Sequence, residues 1–370
     1  MKQTNYKQYN QIEPSFDLNE QKALSKYIKD GGWVTEFKKT NEFEGKISEF
    51  TNSKYVVAVN NGTISLTLSA LALNIGLGDE VIIPNYTMVA TPNSFKMIGA
   101  KPVFVDVEEE TLCIDFDLVK KKINKKTKAI VLVTPNGRYP KVKISEIKKF
   151  CKSNNIHLIE DAAQSLGSFY PNGKHIGTEG IFGSFSFSAP KIISTGQGGA
   201  IITTKKKLYS KIKHLKDFGR SKGGNDIHDY VGYNFKFTDI QAVVGIEQFK
   251  KLKDRIKKKK KIYQAYVNYL SDVYEIEFFK HNFNFTTPWF VDCKVVDRTN
   301  LIKFLHNNNI FTRFMYPPLN KQKIFRVKGN FPVSNAIGRT GLWLPSSPFL
   351  TNYDVEYICS KIRHFYKNFR

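Results

Sequence analysis

Between residues 54 and 205 the chain alternates short runs rich in Val and Ile with segments of helical length, and few architectures accommodate that rhythm. "KYVVAVNNGT" ends a strand in a glycine turn, and "ISLTLSALALNIG" follows as a helix closed by Gly76. "DEVIIPNYT", "KPVFVDV", "KAIVLVTPNG" and "IHLIEDAA" read as further strands, separated by the helical segments "VATPNSFKMIGA", "DLVKKKINKKT" and "ISEIKKFCKSNN". The pattern predicts an α/β fold: a mainly parallel sheet with helices on both faces, where ligands collect beyond the carboxyl ends of the strands. The remainder changes character. A long lysine-rich helix at about 239–271 leads into "YEIEFF", "PWFVDCKVV", a helix near 298–308 and "IFTRFMYPPL", an α+β pattern. We therefore expect a large domain over 1–250, including the N-terminal segment, and a smaller C-terminal α+β domain over 251–370.

Composition removes several function classes. No apolar run is long enough to span a bilayer, and the N-terminus lacks the apolar stretch of a signal peptide, so a cytoplasmic protein is expected. Four scattered cysteines form no CxxC pair, and the seven histidines show no metal-ligand spacing, so neither a disulfide framework nor a metal centre is expected. The formal net charge of +24 raises nucleic-acid binding as a rival function. The excess is mostly lysine spread along the whole chain, without Arg-rich aromatic patches. Its densest block, "RIKKKKKIYQAY" at 255–266, reads as a solvated helix whose Ile256 and Ile262 face inward. The expectation is no nucleic-acid partner, with part of the charge free to attract an anionic substrate.

One lysine stands apart. Ser184, Ser186 and Ser188 alternate with Phe185 and Phe187, the two-residue period of a half-buried strand. Pro190 breaks that strand, Lys191 follows, and Gly196, Gly198 and Gly199 make a turn before the apolar run Ala200-Ile201-Ile202. A lysine held at a strand end among aromatics and hydroxyls can be desolvated into an amine nucleophile; a plain loop lysine is the alternative. Asn61-Gly62-Thr63 opens a helix whose free N–H groups suit a phosphate, although glycine before a helix is also ordinary turn chemistry. Asp161 ends the strand "IHLIED", where it either meets a ligand or caps the next helix. Gln164 follows within one helical turn. A phosphate cradle, a carboxylate and a strand-end lysine, in that order on a parallel sheet, are the parts a pyridoxal 5′-phosphate (PLP) enzyme needs.

With those residues placed, "NNGTISLTLSALALNIGLGDEVIIPNYT", "IEDAAQSLGS", "FGSFSFSAPKIISTGQGGAIIT", "GYNFKFTDIQAVVG" and "LPSSPFLT" together resemble the DegT/DnrJ/EryC1/StrS family of nucleotide-sugar aminotransferases. Five motifs in the family's order span nearly the whole chain. The resemblance implies the type I PLP-dependent aminotransferase fold and a homodimer with active sites shared at the subunit interface. By position, it makes Lys191 the residue that bonds to the cofactor and Asp161 the partner of the pyridine nitrogen. It places Gln164 near the ring or its 3′ oxygen, and Gly62, Thr63 and Ser186 at the phosphate. Asn234 would reach that phosphate from the other subunit, and Arg313 would lie near the substrate.

Two departures bear on substrate. Family members often stack an aromatic residue on the cofactor where this chain has Met88, whose thioether, or Tyr86 nearby, would serve instead. Many relatives read "HLYG" where this chain has Thr134-Pro135-Asn136-Gly137, on the sugar side. The sister branch that dehydrates carries histidine at the lysine position, so Lys191 implies transamination. The resulting expectation is amination of an NDP-4-keto-6-deoxyhexose with L-glutamate as donor, as in perosamine or viosamine synthesis. A 3-keto or other keto-sugar is the alternative within the family, and a basic nucleic-acid binder on a silent scaffold the alternative outside it.

Overall fold

Two helices, α1 (Leu18–Lys29) and α2 (Lys38–Thr51), precede the alternation in the computed structural model, which describes residues 7–221 and 226–367. The large unit then runs β1 (Tyr55–Val59), α3 (Gly62–Ala72), β2 (Glu80–Pro84), α4 (Ala90–Lys96), β3 (Lys101–Val105), α5 (Phe116–Lys122) and β4 (Thr127–Val133). It continues with α6 (Ile144–Ser153), β5 (His157–Asp161), β6 (Phe182–Ser186), β7 (Gly199–Thr203), α7 (Lys206–Lys216) and α8 (Asp239–Lys250). After α9 (Leu252–Tyr269) come β8 (Ile276–Phe278), β9 (Val291–Val295), α10 (Arg298–Asn307), β10 (Arg313–Phe314), α11 (Pro332–Thr340), β11 (Gly341–Leu344) and α12 (Asn352–Lys367).

The first sheet has seven strands in the order β1-β7-β6-β5-β4-β2-β3. It is parallel except for β7, which runs antiparallel to both β1 and β6. Apolar side chains cover both faces: Val56, Ile82 and Ile130 belong to one core, Val57, Ile83 and Val131 to the other. Burial on both sides is why these strands read as unbroken Val/Ile runs. The small unit builds a separate antiparallel sheet, β10-β11-β9-β8, against α9, α10 and α12. A buried ion pair pins it to the loop after β4: Arg138 grips Asp292 with Nη2 to Oδ2 at 2.8 Å and Nη1 to Oδ1 at 3.2 Å. Tyr263 on α9 donates to the same carboxylate at 3.1 Å.

Three details differ from the sequence expectation. The helix after Thr63 stops at Ala72 rather than at Gly76, because Asn74 takes a left-handed φ of +58°. Lys211 Nζ holds that end, donating to the Ala72 carbonyl at 3.0 Å and to Asn74 Oδ1 at 2.6 Å. The long lysine-rich helix is two helices, α8 and α9, divided at Lys251, whose ammonium is tied to Asp17 and Glu20 at the N-terminus of α1. Finally, the lysine run is not uniformly solvated: Lys259 is only 6% exposed, and its Nζ donates to the Ser346 carbonyl at 2.7 Å. Successive residues point around the whole helix, so a run of five must send one toward the protein.

Burial pushes the Lys259 ammonium down to about 7 from the ordinary 10.5, with Arg255 adding to the effect. The unfolded chain then binds more protons than the folded one between those two values, so stability rises with pH across that window. Lys259→Met keeps the apolar stem and removes the titration. Its thermal midpoint should therefore lose this rise, and the gap from wild type between pH 6.5 and pH 10 should change by up to about 4 kcal/mol. Parallel melting curves with equal pH slopes would show that the fold does not shift the Lys259 titration.

Candidate active site

The carboxyl ends of β1, β5 and β6 bring Gly62, Asp161, Gln164, Ser186 and Lys191 to one place. Asn61 caps α3, its Oδ1 accepting from the Ile64 amide at 2.9 Å. The Gly62 and Thr63 amides, in the first turn, have no intrahelical acceptor and point beyond the helix. Gly62 lies directly against Ser186 at the end of β6: a Cβ added there would come within 3.0 Å of Ser186 Cβ and 3.3 Å of its Oγ. Two backbone donors and one hydroxyl thus share a cradle that a larger residue would fill. Gly199 serves the same turn from β7, since a Cβ on it would meet the Asn61 carbonyl carbon at 2.5 Å.

Asp161 ends β5, buried, where Thr91 Oγ1 donates to its Oδ2 at 2.7 Å and the Ala163 amide to its Oδ1 at 3.2 Å. Burial pushes its carboxyl up, opposed by those two donors and by the charge of Lys191. The reciprocal effect is larger in consequence: burial pushes Lys191 down to about 8 from 10.5, and Asp161 limits the fall. A lysine near 8 spends a useful fraction of its time as the free amine at neutral pH. Trp289 lies under it, with Lys191 Nζ 4.0 Å from the ring centroid. Gln164, Ser186, Lys191 and Trp289 line one small cavity.

Gln164 and Asn136 meet directly, Gln164 Oε1 accepting from the Asn136 amide at 2.8 Å. Met88 is 45% exposed, its Sδ accepting from the Ala90 amide at 3.1 Å, whereas Tyr86 is buried and inclined to Tyr316 at 6.0 Å. Asn234 and Arg313 are both exposed. Arg313 packs over the Trp343 ring at 5.7 Å, and no hydrogen bond among the described residues joins it or Asn234 to the Lys191 group. Thr91 and Trp289 join the site without having been marked in the sequence. Thr91 follows Met88 within one helical turn, and the β2-β4-β5 strand order brings it to Asp161; neither that order nor the return of Trp289 is marked in the sequence.

The cradle, the buried carboxylate and the lowered lysine fit PLP. The amides and the hydroxyl would complement its phosphate, Asp161 a protonated ring nitrogen, and Lys191 would reach the aldehyde. The model of the DegT/DnrJ/EryC1/StrS aminotransferase family matches residues 15–363. The chain belongs to that family. It is 36% identical to GDP-perosamine synthase of Vibrio cholerae over 363 residues, covering 96% of this chain and 98% of that one. The Escherichia coli O157:H7 GDP-perosamine synthase is 34% identical with the same coverage. The aminotransferase TlmJ from Streptoalloteichus hindustanus superimposes with a TM-score of 0.92 at 27% identity, covering 98% of this chain and all of that one. This aminotransferase therefore has the fold expected from its sequence, and it is a PLP-dependent sugar aminotransferase that takes a keto-sugar and an amino donor. Among the described residues no helix is long and apolar enough to cross a membrane.

Proposed function

We propose that this aminotransferase converts an NDP-4-keto-6-deoxyhexose to the 4-amino sugar with L-glutamate as donor. The coupling of Lys191 to buried Asp161 beside the Gly62–Ser186 cradle carries the reading of the chemistry. The 4-amino product is supported by the two similar GDP-perosamine synthases, which also favour a guanosine diphosphate carrier. When bound, PLP supplies an aldehyde to take the amino group and a ring to hold the electron pair left on carbon. Gly62, Thr63 and Ser186 would hold the phosphate, Asp161 would keep a proton on the ring nitrogen, and Gln164 would lie at the ring or its 3′ oxygen. Lys191 Nζ takes the proton from Cα of glutamate and later returns one to the sugar carbon that receives nitrogen. Met88 packs beside the ring, and Arg313 meets the anionic nucleotide sugar.

Two copies share the site in this reading. Trp33, Val34 and Phe37 are each more than half exposed, and Phe218, Tyr230, Val231 and Tyr233 are also exposed. The two groups adjoin, because Glu36 pairs with Lys216 at 2.8 Å. An apolar band of this size on one chain marks an association surface, and Asn234 lies within it. We place the domain boundary at Lys251 and the enzyme in the cytoplasm.

A panel of nucleotide-linked 3-keto and 4-keto sugars, each with glutamate, tests the substrate. Mass and NMR analysis should find nitrogen at C4 of a 6-deoxy product, with 2-oxoglutarate released in equal amount. Nitrogen at C3, or turnover only with sugars lacking the nucleotide, would overturn this assignment.

A further inference from the structure

Trp289 is the residue most firmly held against Lys191. It is 5% exposed, and its Nε1 donates to the Pro190 carbonyl at 2.7 Å, one residue before the lysine. Its own amide and that of Phe290 both donate to Asn136 Oδ1, at 2.6 and 2.7 Å, and Asn136 Nδ2 donates to the Phe290 carbonyl at 2.9 Å. The indole stacks on Phe290 at 3.7 Å between centroids and meets the Trp343 ring at 6.0 Å. Asn136 adopts a left-handed φ of +55° to make these bonds. The indole is therefore fixed on every side, with its face presented to Lys191 Nζ at 4.0 Å.

The other charged groups around the lysine do not duplicate that contact. Asp161 favours the ammonium from the sheet side. Glu13, Arg255 and Lys259 line a second small cavity that Lys191 also borders. Arg255 donates to the Ile192 and Ser15 carbonyls and to Gln248, and Lys259 to the Ser346 carbonyl. An indole face over a desolvated ammonium attracts it through the ring quadrupole, more strongly than the same contact in water.

We propose that Trp289 is a positioning residue whose indole face aims Lys191 into the site and stabilises its ammonium form once it has taken up a proton. Asn136 is the brace that holds the indole there. The inference rests on Lys191 being the proton-carrying lysine, and its test does not depend on turnover or on the identity of the sugar.

The test uses the full chain stripped of cofactor. Pulsed acetylation across pH, read at Lys191 by peptide mass spectrometry, gives the midpoint at which the amine becomes reactive, expected near 8 in the wild type. Trp289→Leu keeps the site apolar but removes the face, so the midpoint should fall by about one pH unit. Trp289→Phe should fall less, because a weaker face remains. Stepwise fluorination of tryptophan, which drains the quadrupole at nearly constant shape, should lower the midpoint progressively and serves if the Leu variant does not fold. Only Trp33 and Trp343 are labelled alongside, among three tryptophans in all. A midpoint that stays constant or rises would show the ring to be a water excluder only. Equal shifts for Leu and Phe would assign the effect to the Nε1–Pro190 bond, and either result overturns the proposal.

Discussion

Lys191→Ala should fold, retain PLP through non-covalent contacts and lose turnover by roughly 10⁴-fold or more. The phosphate cradle at Gly62, Thr63 and Ser186 and the carboxylate of Asp161 remain, so loading persists at a higher PLP concentration. What disappears is the amine that moves the proton, and Lys259, which borders the same small cavity, is committed to the Ser346 carbonyl. Mixing this variant with Asn234→Ala adds a second arm. If Asn234 reaches across the dimer, a mixed pair has one site with both residues intact, and part of the activity should return. Dialysis of the two variants together, followed by a rate assay, measures it. Proven subunit exchange without recovery would place Asn234 outside the shared site, and appreciable turnover by Lys191→Ala alone would remove the lysine from the chemistry.

Asp161→Asn should lower turnover about 10²–10³-fold, the scale seen when one preorganised electrostatic partner is removed. The amide preserves shape and accepts from Thr91, but it carries no charge to keep a proton on the ring nitrogen. The stability of the cofactor-free protein should move the opposite way. Burial raises the Asp161 carboxyl above its ordinary value, so the unfolded chain releases this proton first and stability falls as pH rises through that range. A neutral amide escapes that penalty, so the melting midpoint at pH 7 should hold or increase. Loss of activity with gain of stability is the signature of a functional buried charge. A variant that melts lower and turns over normally would make Asp161 a helix cap.

Much of this site was legible because its residues sit where a parallel sheet must end. Asp161 and Lys191 follow strand patterns and Gly62 opens a helix, so the alternation puts each at an element end, while the family resemblance supplied their roles. The rest depends on which strands lie side by side. Thr91 reaches Asp161 only because β2, β4 and β5 are neighbours, and Trp289 reaches Lys191 from a loop of the small unit. Asn136 shows the same limit differently. Its departure from the common family stretch suggested a change on the sugar side, yet its side chain is spent bracing Trp289 and Phe290. Within the lysine run the five residues are chemically identical, and only packing selects Lys259 for burial.

If Lys191 is the amine that engages PLP, borohydride reduction of the PLP-loaded enzyme will show it. Reduction fixes the cofactor wherever an amine has bonded to its aldehyde, and peptide mapping locates the added mass. One modified peptide is expected, carrying the mass on Lys191, with no fixed label in Lys191→Ala. Label on another lysine, or an unlabelled Lys191 in fully loaded enzyme, would contradict it.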